Sequence, residues 1–585
     1  MPANKTYRVV IMHLDRNFAE PVSFGDTKEL LGGSHLAAAL YDKYGLPNEP
    51  WDHPDQPLIF AIGPLVGYFP LMSKVVCAFK SPYHDQYCES HAGGRLALAM
   101  RFANADAIVF RGRAKTLSAA VIAARNLKLL DVHYLKGMDV FSTGRSLRKT
   151  ISGFSGHRSL MRIGPAGENL SAYACINVDT YRHFGRMGCG SVMGVKNLKA
   201  VMVQGDESFP LPEGKAYQSL YRDIYKQMTA THMMSKYFDL GTPQNLIPLN
   251  ELKSLPWRNL QATSDPDVTG ISGERFAQDL LLRNTACSGC PVGCIHIGML
   301  REMFSDEHRF KYLQVAYDYE PIFAVGSMLG VTDASSVLSL MDEVEKVGVD
   351  VMSAGVALAW ATEAFQKGII TEEQTLTPLE FGYVEGYKKA VAHLGYSTNE
   401  FYMRLAGGAL KAAQHYGGED FACVLGQEMA GYATGEVFFT QQAMSFRHSH
   451  LDAGGYSYDQ THNEQDADKA IDYLIKDEQG RCVLTSMVAC LFSRGVYKND
   501  VLSKCLEAIG YTEMAGKLDA VGADIQKLRW RMRFNTGYDP VQTKIPKRFL
   551  EVETWKGKID PQYLDTLKHR YAQALTEIGR AKPSM

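Results

Sequence analysis

The sharpest chemical signal in the 585-residue chain is Cys287-Ser-Gly-Cys290-Pro-Val-Gly-Cys294. Three thiols at x2 and x3 spacing, in a loop with two glycines and a proline, can converge on one polynuclear metal centre. The glycines let backbone amides turn toward the sulfurs. Three thiolates close neither a cubane nor a structural zinc site, so a fourth ligand must come from elsewhere. The chain has eleven cysteines, an odd count that points to thiols and a metal, not to a disulfide framework. The remaining candidates are Cys77, Cys88, Cys175, Cys189, Cys423, Cys482, Cys490 and Cys505. Cys490 follows Ser486, Met487 and Val488 in what reads as a buried helix, so a packed thiol is expected there. Cys482 ends Asp477-Glu-Gln-Gly480-Arg-Cys482, which reads as a polar turn, and is the better-placed candidate. Structural zinc and a set of packed thiols are the rival readings.

Two further segments, His91-Ala-Gly93-Gly94-Arg95 and Gly185-Arg186-Met-Gly188-Cys-Gly190, are places where backbone can approach a ligand closely, or else hairpin turns. The elements that must hold them change character along the chain. Short runs at Tyr7 to Leu14, Leu58 to Ile62, Lys74 to Lys80, Ala107 to Arg111 and Ala200 to Val203 predict strands, with a helix over Ser34 to Tyr44 ended by Gly45. After Glu207 helical periodicity dominates. Thr332 or Asp333 caps a predicted helix stopped at Gly348, and Ser353 caps a second over Val356 to Gln366, ended by Gly368. No internal repeat is visible. The reading is α+β: an N-terminal β-sheet-rich, cofactor-cradling domain (1–209), then two mainly α-helical domains (210–415 and 416–585).

Composition excludes several classes. The chain is 46% hydrophobic and 22% charged, with a formal charge of −2, so neither a nucleic-acid partner nor a solvating acidic tail is expected. No apolar run approaches about eighteen residues, and the N-terminus lacks an export pattern, so a soluble cytoplasmic protein is expected.

Several separated motifs resemble the tungsten-containing aldehyde ferredoxin oxidoreductases. Arg162-Ile-Gly164-Pro-Ala-Gly-Glu-Asn169, followed by Arg182-His-Phe-Gly185-Arg186-Met-Gly188-Cys-Gly190 and on through Lys199, resembles that family's pterin-binding signature. The cysteine triplet is similar to its cluster loop. Its paired pterin-contacting turns are matched by Glu345-Lys-Val-Gly348-Val-Asp350 and by Asp477-Glu-Gln-Gly480-Arg-Cys482. The resemblance implies a tungsten or molybdenum atom held by two pyranopterin dithiolenes, beside a [4Fe–4S] cluster on Cys287, Cys290, Cys294 and Cys482. It further implies that Lys74, His91, Gly93, Gly94, Arg182, Gly185, Arg186 and Gly188 serve the pterin phosphates. Glu345, Asp350 and Asp477 would accept hydrogen bonds from pterin N–H groups; helix capping is the alternative for them. Magnesium bridging the two phosphates belongs to the same picture, although His91 stands where the family has asparagine, Lys74 where it has arginine and Glu345 where it has aspartate. No Glu-x-x-His pair occurs, so an interfacial mononuclear iron is not carried over.

The activity implied is oxidation of an aldehyde to a carboxylic acid, or its reverse. Electrons would leave through the cluster to ferredoxin or a small ferredoxin-like subunit, in a homo- or hetero-oligomer. Glu320, in Asp318-Tyr319-Glu320-Pro321, is the implied acid/base, with Asp318 as its surface-exposed neighbour. In Arg447-His448-Ser449-His450-Leu451-Asp452, His450 is the better match for a histidine that donates to substrate, and His448 the second candidate. The rivals are the catalytic tungsten subunit of an aromatic-ring (benzoyl-CoA-type) reductase, an uncharacterised tungsten oxidoreductase, and a non-enzymatic iron–sulfur electron-transfer subunit.

Overall fold

The short β-branched and aromatic runs near the N-terminus pair into two six-stranded sheets. The computed structural model describes residues 5–123, 126–151, 156–305 and 309–580. The first sheet holds β1 (Tyr7–His13), β2 (Phe18–Phe24), β3 (Leu58–Ala61), β4 (Val75–Lys80), β5 (Tyr87–Ala92) and β6 (Ala107–Arg111), in the order β2-β1-β6-β3-β4-β5. β3 and β4 are buried along their whole length, as suits sequences that are apolar up to Lys80, whose amine donates to the Pro47 and Glu49 carbonyls. β2 carries Pro21 and alternates in exposure, as suits an edge.

The second sheet holds β7 (Ser118–Ala123), β8 (Asn126–Asp131), β9 (His157–Arg162), β10 (Ile176–Val178), β11 (Arg182–Phe184) and β12 (Leu198–Gly205), in the order β8-β7-β12-β9-β10-β11. Strand for strand this is the first sheet again. In each, the first and last strands pair parallel, β1 with β6 and β7 with β12, and every other pair is antiparallel. The expectation of no internal repeat is therefore corrected. The repeat lies in hydrogen-bond topology, and one of its few traces in sequence is Ile-Gly-Pro, at 62–64 after β3 and at 163–165 after β9.

Helix α1 (Gly33–Tyr44) ends at Gly45. Beyond the sheets, β13 (Leu281–Thr285), β14 (Ile295–Ser305) and β15 (Arg309–Tyr317) form a three-stranded antiparallel sheet, and the cysteine loop is the connection from β13 to β14. The rest is chiefly helical: α2 (Tyr319–Val325), α3 (Ala334–Val347), α4 (Val351–Gln366), α5 (Glu436–Met444), α6 (Ala467–Ser486) and α7 (Leu518–Asn535). Asp333 caps α3 by accepting from Ser336 N–H at 2.8 Å. The cap of α4 is Asp350, not Ser353: its carboxylate accepts from the Ser353 N–H at 2.9 Å and hydroxyl at 2.7 Å, so the helix starts earlier than expected. Among the described residues no single helix is long and apolar enough to cross a membrane.

Two helix ends plug matching positions of the two sheets. Helix α3 stops at Gly348 (φ 78°), whose carbonyl accepts from the N–H of Cys175, just before β10, at 2.9 Å. Helix α6 stops at Met487-Val488, and the Val488 carbonyl accepts from the N–H of Lys74, just before β4, at 3.1 Å. Gly164 packs on the Val347 carbonyl and Gly63 on the Met487 carbonyl, so closely that neither admits a Cβ. The turn equivalent to Glu345–Asp350 is thus Thr485–Cys490. Its αL position is Val488 (φ 55°), where a glycine would be free of strain.

Candidate functional site

The cysteine loop lies at the sheet-to-helix junction. The Cys287 thiol accepts from the Gly94 N–H at 3.2 Å, and a Cβ on Gly93 would sit 2.8 Å from that sulfur, so only glycine permits this approach. Burial pushes Cys287 up, but Arg182, Lys74, the Gly94 N–H and the Ser73 hydroxyl outweigh it and hold the thiol below its ordinary value. Burial drives Cys290 up to about 12 and Cys294 to about 11, and Cys490 adds to the rise at both. The backbone ties Cys490 to the loop as well: its N–H donates to Leu71 O at 3.0 Å, and Leu71 N–H donates to Gly289 O at 3.2 Å.

Cys482 is not brought to this loop. Asp477–Cys482 lies inside α6, and no turn forms there. The Cys482 sulfur accepts from Arg529 Nη1 at 3.1 Å, and Arg529 in turn pairs with Glu89 at 3.0 Å. Asp477 pairs with Arg481 one helical turn on, at 2.7 Å, and Gly480 is an ordinary helical position. The expectations for Asp477, Gly480 and Cys482 as a turn are corrected together. Residues with high helix propensity flank Gly480, and one interior glycine costs only about 1 kcal/mol.

A groove beside β11 gathers Arg182, His183, Gly185, Asp318, Glu345 and Asp350. Glu345 lies 3.3 Å from His183 Nε2, and the Asp350 carboxylate, besides capping α4, lies 3.7 Å from Arg186 Nε. Arg182 Nε and Arg186 Nη1 are buried without a hydrogen-bond partner. Desolvation opposes the Arg182 charge, but Cys287, Cys294, Asp318 and Cys490 reinforce it, so this guanidinium spans groove and cysteine loop. Asp318 is no surface residue: it lines the groove, and burial followed by the Glu320 charge raises its carboxyl to about 6. Gly188 adopts φ 81° at the start of the Cys189–Val195 helix and packs on the Ala172 carbonyl.

Glu320, in the first turn of α2, meets His450 Nε2 and the Tyr432 hydroxyl, each at 3.1 Å from Oε1. Burial would raise Glu320, but His450 and then Tyr432 outweigh it and hold the carboxyl below the ordinary carboxylate range. His450 Nδ1 is buried and unpartnered. Its loop is organised by Asp452, which accepts from Arg447 N–H (2.7 Å), the Ser445 hydroxyl (3.0 Å) and Arg447 Nε (2.6 Å). His448 belongs elsewhere. It adopts φ 50°, packs on Gly426 and His84, and meets Arg533 and the Gln442 carbonyl, so its expected catalytic place is corrected. Burial, then Arg533 and His84, keep it neutral.

Residues 13–205 match the family described as "Aldehyde ferredoxin oxidoreductase, N-terminal domain", and residues 219–578 match that family's "domains 2 & 3". The chain belongs to the aldehyde ferredoxin oxidoreductase family. It is similar to the tungsten-containing aldehyde ferredoxin oxidoreductase of Pyrococcus furiosus, at 28% identity over 90% of this chain and 87% of that one. The Thermococcus kodakarensis protein of the same name is 27% identical over the same shares. An "aliphatic sulfonate oxidoreductase, WOR-like subunit" of P. furiosus is 29% identical over 66% of this chain and 63% of its own. A solved structure, the active site complex BamBC of benzoyl coenzyme A reductase with 1,5 dienoyl-CoA, shares the fold with a TM-score of 0.82 at 20% identity, covering 98% of this chain and 94% of that one.

As an oxidoreductase of this family the chain implies a tungsten–pterin group, and its residues suit that load. Unpartnered Arg182 and Arg186 donors answer the anionic phosphates, and backbone in glycine-rich turns admits close approach. His91 suits magnesium poorly, since its nitrogens are engaged by Glu89 and Arg447, each at 3.1 Å. Sequence reasoning missed Tyr432, which no local motif marks, and Arg529 and Glu89, whose pairing spans 440 residues.

Proposed function

We propose that the protein oxidises an aldehyde, with water, to a carboxylic acid at a bis-pyranopterin tungsten centre, or runs the reverse. The bound centre would accept the electron pair, and a [4Fe–4S] cluster on Cys287, Cys290, Cys294 and Cys490 would pass single electrons on to a ferredoxin-like acceptor. The groove of Arg182, Gly185, Glu345 and Asp350 would hold one pterin, and Lys74, Gly93 and the Thr485–Cys490 turn the other.

The observation that carries the reading is Glu320 with His450 and Tyr432 on one carboxylate oxygen. The ionised Glu320 takes a proton from water as its oxygen adds to the carbonyl carbon. His450 orients that carboxylate through Nε2, and Tyr432 steadies its charge. Replacing Glu320 by glutamine tests this: aldehyde turnover should fall while tungsten and iron contents hold. Unchanged turnover refutes the assignment.

A second reading, reduction of an aromatic thioester, is favoured by the Tyr432 and Tyr456 rings stacked 5.0 Å apart beside Glu320. Assaying aldehydes against aromatic acyl-CoA thioesters separates the two.

A further inference from the structure

Helix α5 begins at a residue that cannot cap it. Gly435 stands at the N-cap and has no side chain to accept from the first-turn amides. The acceptor comes instead from Asp459, 21 residues beyond Phe438, in the short helix Gly455–Thr461. One oxygen of its carboxylate accepts from the Phe438 N–H at 2.9 Å and from the Thr434 hydroxyl at 3.2 Å. A side chain at 435 is excluded as well, since a Cβ there would lie 2.9 Å from the Asp459 carboxylate carbon. Thr434, Phe438 and Asp459 are all buried.

A buried carboxylate is a costly cap. Asp459 takes part in no ion pair among the described residues. Burial, and with it the Glu436 charge on α5, raises its carboxyl to about 7 against the Phe438 N–H, Lys556 in the turn between residues 554 and 557, and the Thr434 hydroxyl. Tyr458 on its own helix and Tyr563 of the helix Pro561–Arg580 line the same cavity. A serine or asparagine at the N-cap would hold the end of α5 at less cost, so the carboxylate is explained by what it joins.

It joins two parts of the wall beside Glu320. Thr434 follows Tyr432 by two residues, and Asp459 follows Tyr456 by three. The Phe438 ring meets both tyrosines edge-on, at 5.8 Å from Tyr432 and 6.4 Å from Tyr456, and the two tyrosine rings stack at 25°. Gly455 brings the short helix so close to α5 that a Cβ on it would lie 3.2 Å from the Phe438 Cα. A single carboxylate oxygen therefore fixes three rings, and with them the Tyr432 hydroxyl that donates to Glu320.

Resting on the function proposed above, we propose that Asp459 is a positioning residue: by tying the Thr434–Phe438 segment to the helix that follows Tyr456, it holds the Tyr432 hydroxyl on Glu320.

The test uses the tungsten- and iron-loaded enzyme and reads the acid limb of the aldehyde pH–rate profile, which rises when Glu320 loses the Tyr432 hydrogen bond. Asp459→Ala should move that limb up by about half a unit and lower kcat about tenfold, with KM within about twofold. Asp459→Asn keeps an oxygen that accepts from both donors, so the limb should return and kcat should lie within about twofold of the parent. In the Tyr432→Phe background, Asp459→Ala should shift the limb no further. A limb unmoved by Asp459→Ala, or a full extra shift in that background, overturns the proposal. Amide hydrogen exchange on the same loaded enzyme separates the tie from the reaction, and decides the matter where no aldehyde is turned over or Tyr432→Phe leaves the limb in place. Faster exchange in Asp459→Ala that reaches residues 430–434 as well as Phe438, and is absent in Asp459→Asn, supports the tie. Exchange altered only at the Phe438 amide, or not at all, refutes it. Should Asp459→Ala fail to fold, Thr434→Val takes its place in each measurement, with a smaller shift of the same sign.

Discussion

Replacing Cys482 and Cys490 one at a time separates two positions eight residues apart. In Cys482→Ala, a sulfur buried against Arg529 is removed. Truncating it costs about 1 kcal/mol of buried contact, and the Arg529 Nη1 donor left without its acceptor adds about 1 kcal/mol. The second cost stays small because Glu89, 3.0 Å from Arg529 Nε, still holds that guanidinium. A total near 2 kcal/mol should lower the melting midpoint modestly and leave the fold, and about four irons per chain, intact. In Cys490→Ala almost no packing is lost, since the residue is only partly buried. The loop would instead keep only three thiolates, and the cluster becomes labile. Anaerobic purification followed by iron and sulfide analysis and by electron paramagnetic resonance of the reduced protein reads the difference. Iron well below four in Cys490→Ala with near-normal iron in Cys482→Ala is the expected result. The opposite pattern, or equal loss in both, would refute the placement of the second turn.

Four further outcomes follow from the same geometry. Glu320→Gln should reduce aldehyde turnover by roughly 10²- to 10⁴-fold with metal contents unchanged. Tyr432→Phe removes a hydrogen bond worth about 1.5 kcal/mol to a carboxylate, so the acid limb of the pH–rate profile should move up by about one unit; an unmoved limb excludes Glu320 as its origin. Gly348→Ala forces a side chain into the left-handed region and puts its Cβ 2.9 Å from Gly164 N, so tungsten content and melting midpoint should both drop, by about 1–3 kcal/mol in stability. Burial lowers His35 to about 4 and, with Arg533 and Lys411, His84 to about 3. Their contribution is complete above pH 6.5 and is lost on acidification at about 1.4 kcal/mol per unit for each, so the melting midpoint should fall from pH 6.5 toward 4, and less steeply in His84→Gln.

Local signals were legible where one residue type does one job. Asp333 and Gly348 bound their helix, the largely apolar strands are central, and the three-cysteine loop is visible by spacing alone. The second turn was misread because its marks are erased: Val488 stands where the first turn has Gly348, and Thr485 where it has Glu345. A look-alike, Asp477 to Cys482, supplied those marks inside a helix. The duplicated sheet escaped for a related reason, since parallel and antiparallel pairing leaves little trace in residue identity. Long-range pairings such as Glu89 with Arg529 and Glu320 with His450 depend on the closed fold, which no local window contains.

The doubled sheet has a consequence for direction. The two sheets present equivalent sockets, which have diverged at one matching position: Asp350 on one side and Cys490 on the other. A carboxylate ends its path in a helix cap, while a thiol opens onto the cysteine loop and the protein surface. On the function proposed above, one of two equal doors would be closed, leaving a single outlet for charge.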